Sequence, residues 1–134
     1  MGDETGRFRP SDRLLDSRDF RRILRRGRRR ADRDLVVITM PVWIKPNEAN
    51  GLREFGRFGS RLGITVSRKV GGAVVRNRFK RRIRAWFRTR RREFEKDVDL
   101  IVIARRSGAA LSLYQLDLRL SKLLGLEPIT LPAR

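Results

Sequence analysis

Residues 66–92 read VSRKVGGAVVRNRFKRRIRAWFRTRRR. From Arg61 to Arg92 the chain carries 13 arginines and lysines and no acidic residue, yet large apolar side chains recur among them. At about 100° per residue, Val75, Phe79, Ile83, Trp86 and Phe87 fall within about a third of a helix circumference. That is the stripe by which an amphipathic helix seats on a core. Asn77, Arg81, Arg84 and Arg88 fall near the opposite side, with Arg78 and Arg92 beside them. The stripe therefore sets where the charge points: outward, as a row on an ordered element.

A solvated helix face normally mixes glutamate among its lysines and gains from the pairs. Here like charges stand three and four residues apart, which destabilises the isolated helix and points to an external anion. Arginine outnumbers lysine, and its planar fork grips phosphate bidentately and stacks on bases. Asn77 is a poor helix former among better ones. Its amide suits a base edge or a ribose hydroxyl, and equally a bond to the preceding turn. Gly71 and Gly72 serve a tight entry into the helix, and would also let backbone amides approach a phosphate.

The whole chain extends this reading. Its 134 residues suit one domain with a single modest core, and the formal net charge is +19 with 37% charged residues. Self-repulsion on that scale calls for a polyanion, and nucleic acid fits best because each neutralised phosphate releases counterions. No apolar run approaches a membrane span, and MGDETGRFRP lacks the apolar core of a signal peptide. Gly6 stands where a myristoylation motif needs serine or threonine. No membrane partner and a cytoplasmic location are expected. Without cysteine or histidine, disulfides, cysteine–zinc sites and the commonest general base are excluded.

Along the chain, residues 1–12 read as a disordered N-terminal segment, 13–125 as one domain and 126–134 as a tail. LLDSRDFRRILRRG, residues 14–27, predicts a helix capped by Asp16 or Ser17 and closed by a left-handed Gly27, with Phe20, Ile23 and Leu24 on one face. GRRRADRD is a connection into a β-branched strand over residues 35–44, in which Pro41 marks a bulge or an edge. A glycine-bearing connection spans 45–60, with the possibility of a further strand from 42 onward. A strand follows over 61–68, with Leu62, Ile64 and Val66 on one face. VDLIVIA, residues 98–104, has the unbroken apolar run of a strand buried on both sides. The last helix has a capping box (Ser112 and Gln115), a staple (Leu111 and Leu116), a stripe of Leu113, Leu116, Leu120, Leu123 and Leu124, and a terminating Gly125. The order helix, strand, strand, helix, strand, helix predicts an α+β fold, a two-layer α/β sandwich on one small sheet.

SRKVGGAVVRNRFKRRIRAWF resembles the signature of the bacterial ribonuclease P protein subunit, with its Arg-Asn-Arg core and following Lys-Arg at Arg76, Asn77, Arg78, Lys80 and Arg81. RLLDSRDFRRILRRGRR and DLIVIARR resemble two further family segments, in the family's order. The resemblance implies a small mixed sheet with a left-handed βαβ crossover, a ribosomal-protein-like fold in which the signature helix is the crossover. It implies a protein that is not itself the catalyst. It binds a catalytic RNA, and together they remove the 5′ leader of precursor tRNA, with Mg2+ held in the RNA's active site. The signature helix, with Arg76, Asn77, Arg78, Lys80, Arg81, Arg84 and Arg88, is expected against that RNA. A cleft between the first helix and the sheet is expected to hold the leader through Phe20, Leu24, Ile38, Arg68, Lys69, Arg105 and Arg106. Leu24 and Ile38 stand where the family often has aromatics, and Gly72 where it often has asparagine; for Leu24 and Ile38 core packing is the competing reading. Protein partners are left open.

A protein metallonuclease would need clustered carboxylates. The acids available are Asp97 and Asp99 at a strand entrance, Glu93 and Glu95 at a helix end, and Asp117 on a helix, and a charged strand boundary is the better reading of the first pair. The remaining alternative is a generic RNA- or DNA-binding module of ribosomal or nucleoid type.

Overall fold

The computed structural model describes residue 13 and residues 17–41, 60–94 and 97–126. Its elements are α1 (Ser17–Arg26), β1 (Arg28–Ala31), β2 (Leu35–Pro41), β3 (Arg61–Thr65), α2 (Ala73–Arg90), β4 (Val98–Ala104) and α3 (Leu113–Leu124), with 3-10 turns at Arg91–Glu93 and Gly108–Ala110.

The strands form a mixed sheet in the order β1-β2-β4-β3. β2 runs antiparallel to both β1 and β4, with Ile38 opposite Ile101, while β3 lies parallel to β4, with Gly63 opposite Ile101. The β3-α2-β4 connection is thus a helical crossover between neighbouring parallel strands. Strand alternation sorts the core onto two faces. Leu35, Val37, Leu100 and Val102 face α2 and α3, where they meet Phe79, Ile83, Trp86, Phe87, Leu116 and Leu120. Val36, Ile38 and Ile101 face the other way and meet Ile23 of α1, with Phe20 and Met40 packed alongside. The sandwich therefore carries helices on both faces, which is why VDLIVIA is apolar without alternation.

The α3 capping signals are realised at both ends. Ser112 accepts from the Gln115 amide while its own amide donates to the Gln115 side chain, and Gly125 closes the helix at φ 72°. Leu126 still packs on the core, its amide donating to the Ser121 carbonyl at 2.8 Å.

Several expectations are corrected. GRRRADRD is not a plain connection, because Arg28–Ala31 pair with β2 as an edge strand. Gly27 is not left-handed; Gly125 is the one glycine with positive φ among the described residues. A Cβ on Gly27 would come within 2.6 Å of the Ile23 carbonyl oxygen and of the Ile38 side chain, so glycine is required by close approach of helix to strand. Leu24 leaves the α1 apolar face and is 44% exposed, as is Leu113 on α3. β2 is described to Pro41, its last pairing residue, opposite Val98. The start of the first helix at 14–16 and the possible strand from 42 lie outside the described residues, and β3 ends at Thr65.

Candidate nucleic-acid interface

α2 is eighteen residues without an acidic side chain. Phe79, Ile83, Trp86 and Phe87 are buried, and Val75 packs against the same cluster, so the expected stripe seats the helix on the sheet. Asn77, Arg78 and Arg81 are consequently exposed, and Arg76, Lys80, Arg84 and Arg88 are half-buried. Among the described residues Arg76, Arg78, Lys80, Arg81 and Arg88 have no carboxylate partner. Burial, and then the nearby Arg13, push the Arg84 guanidinium below its ordinary value. Gly72 caps α2 in extended conformation with no side-chain bond to the first turn.

The other arginines of the 61–92 run do a different job, which their sequence neighbours do not disclose. Arg61 grips Asp99 through two bonds, Nε at 2.9 Å and Nη2 at 2.8 Å, and reaches Asp19 of α1 at 3.2 Å. The hydrogen bond to Asp99 raises the Arg61 guanidinium above its ordinary value against the opposing effect of burial. A raised cation contributes its full stability below its unfolded value, so this lock holds at any neutral pH. Arg82 donates to the Leu111 carbonyl at 2.7 Å. Arg90, 3% exposed, pairs with Asp117 at 3.2 Å, Glu93 at 2.8 Å and Ser121 Oγ at 3.0 Å, while Trp86 Nε1 donates to Asp117 at 3.0 Å. Arg91 is buried with its guanidinium 5.9 Å from the Phe87 ring centroid. Arg61 thus ties α1 to the sheet, while Arg82 and Arg90 tie the middle and the C-terminal end of α2 to α3 and the turn before it.

Three of the acids considered for metal chemistry are thereby engaged: Asp99 with Arg61, Asp117 with Trp86 and Arg90, and Glu93 with Arg90, while Asp97 is half-buried just before β4. Glu95 lies outside the described residues. Asp32 and Asp34 at the β1–β2 turn pair with Arg119 of α3, and Ser107 donates to Asp34. No group of three potential metal ligands occurs among the described residues.

The residues of the expected leader cleft are strung out rather than clustered. Arg68 and Lys69 follow β3, and Arg105 and Arg106 follow β4; because the strands are parallel, all four leave the same end of the sheet, and all are exposed. α2 begins at that end as well, with Arg76, Asn77 and Arg78 in its first turns. Phe20 lies beside Asp19, whose partner Arg61 opens β3 at the other end. From Asp99 to Ala104 that separation is about 17 Å of strand. Ile38, opposite Ile101 in mid-sheet, is 2% exposed and belongs to the core. Leu24 is solvent-facing. Reasoning from sequence missed Arg28, Arg29 and Arg30, whose strand role depends on pairing with β2.

An acid-free helix seated on a mixed sheet, with Arg78 and Arg81 turned toward solvent, defines a small α+β protein with a basic face suited to a polyanion. A sequence model of the family described as Ribonuclease P matches residues 8–126. The ribonuclease P protein component of Listeria monocytogenes is 33% identical over 103 residues, covering 77% of this chain and 76% of that protein. The solved ribonuclease P protein of Staphylococcus aureus superposes with a TM-score of 0.67 at 32% identity, covering 85% of this chain and 93% of the other. That of Thermotoga maritima gives 0.65 at 30%, covering 84% and 94%. The chain belongs to the ribonuclease P protein family: it is the protein component of an RNA-containing endoribonuclease of tRNA 5′-end processing, in which the RNA carries catalysis.

Proposed function

We propose that the outward face of α2, through Arg76, Asn77, Arg78, Lys80, Arg81, Arg84 and Arg88, docks the catalytic RNA of ribonuclease P. The observation that carries this is the pairing pattern. Arg61 and Arg90 bond buried carboxylates, whereas Arg78 and Arg81, on the helix side opposite the stripe, meet none among the described residues. Residues 13–125 act as one RNA-binding domain flanked by 1–12 and 126–134, working in the cytoplasm.

The 5′ leader of precursor tRNA is the second ligand on this reading. The spread of Phe20, Arg68, Lys69, Arg105 and Arg106 along the sheet suits an extended single strand, with Phe20 toward one end and the arginines and lysine at the other. Leu24 adds an exposed apolar contact, while Ile38 acts from beneath by packing. Mg2+ belongs to the RNA's active site. No helix among the described residues is long and apolar enough to cross a membrane.

Reconstitution tests the whole reading. The protein alone should leave precursor tRNA intact, and with its cognate RNA it should stimulate 5′ cleavage at low magnesium; lack of stimulation rejects the assignment. Phe20→Ala should weaken precursor tRNA relative to mature tRNA, and equal losses for both would reject the leader assignment.

A further inference from the structure

One cavity of about 510 Å³ lies away from both surfaces discussed so far. It opens between β1, β2 and the end of α3, and Arg28, Arg30, Thr39, Phe94, Leu123 and Leu126 are among the residues that line it. Pairing places it on the α2/α3 face of the sheet: Arg28 sits opposite Thr39 and Arg30 opposite Val37. β1 is the sheet edge farthest from β3, three strand spacings or about 14 Å away.

The lining has two chemistries. Leu123, Leu126 and Phe94 supply an apolar wall, and Phe94 is itself braced by Phe87 at 6.0 Å and Trp86 at 6.3 Å between ring centroids. Arg28 and Arg30, exposed and two residues apart on an edge strand, place their Cα atoms about 7 Å apart on one side of the opening. Arg30 uses one arm to donate to the Leu123 carbonyl at 3.1 Å, which fixes its direction, and Arg28 has no carboxylate partner among the described residues. The one acid in the lining, Glu93, is already held by Arg90 through both carboxylate oxygens, at 2.8 and 2.9 Å. A flat apolar ring bearing an anionic group answers both chemistries. The volume lies within the range of small-ligand pockets.

We propose that this cavity takes one unstacked nucleotide of a single-stranded RNA segment, its base against Phe94 and the leucines and its phosphates on Arg28 and Arg30. The site is separate from the α2 face, so the protein holds RNA at two edges of one sheet. This rests on the chain's being an RNA-binding protein, and the test separates the two.

The full-length chain, with labelled methyl groups and backbone amides, is titrated with heptauridylate at low salt. The methyls of Leu123, Leu126 and Val98 should shift together with α2 amides from Asn77 to Arg84. Arg28→Ala, a change at an exposed position, should weaken the methyl-detected binding about threefold to tenfold. Thr39→Trp fills the cavity without changing charge and should weaken it at least about fivefold while the α2 shifts persist. If Thr39→Trp does not fold, the Arg28→Ala titration decides alone. Shifts of α2 amides without shifts of the cavity methyls overturn the proposal and leave the α2 reading standing. Cavity binding unaffected by Arg28→Ala overturns it too, and no shift at either place overturns the cavity proposal, the α2 reading being decided by the reconstitution.

Discussion

Arg81 and Arg90 stand nine residues apart on one helix, and their fates are opposite. Arg81 faces solvent. Arg90 is buried against Asp117, Glu93 and Ser121 of its surroundings. The residue type is the same and so is the element; what differs is where the few carboxylates lie. With 15 acids against 34 arginines and lysines, each acid placed inside selects which cation becomes structural. On the proposed reading, the cations of α2 left without one form the RNA-docking surface.

The contrast can be broken by substitution, beginning where the effect is largest. Arg90→Ala leaves Asp117 buried without its cation and should cost about 3–5 kcal/mol of stability in urea unfolding. Arg61→Ala strands Asp99, which is fully buried, and also removes the ion pair from the sheet to Asp19 of α1; a loss of about 3 kcal/mol is expected by the same measurement. Gly27→Ala forces a methyl against backbone and should cost about 1–3 kcal/mol, a test of the steric rather than conformational role of that glycine. Ser112→Ala removes half of the capping box and should cost about 1 kcal/mol. Arg81→Ala should lie within about 0.5 kcal/mol of the parent protein. A clear stability loss in Arg81→Ala, or none in Arg90→Ala, would collapse the distinction between the two sets.

Much of this was legible in the chain. The apolar stripe of α2 appears at helical spacing because one side of that helix is wholly buried, and the α3 caps are local motifs that need no tertiary partner. β1 was not legible, because RRRA has no apolar alternation; it is a strand through its register with β2. The structural arginines were hidden for a related reason. Arg61 and Asp99 are 38 residues apart, and only the parallel pairing of β3 with β4 brings them together. Leu24 and Leu113 sit at the margins of their helical stripes, where a small rotation decides between core and solvent. In the site, the α2 face followed from the stripe. The leader residues follow only through the family, since no local pattern connects Phe20 with Arg105.

The most direct measurement is the salt dependence of affinity for the cognate catalytic RNA, comparing the parent protein with Arg78→Ala/Arg81→Ala. Each lost phosphate contact lowers the slope of log affinity against log salt by about 1, so the double variant should lose about 2 while melting as the parent does. An unchanged slope in a normally folded double variant would contradict the claim that these guanidinium groups are the RNA-docking surface.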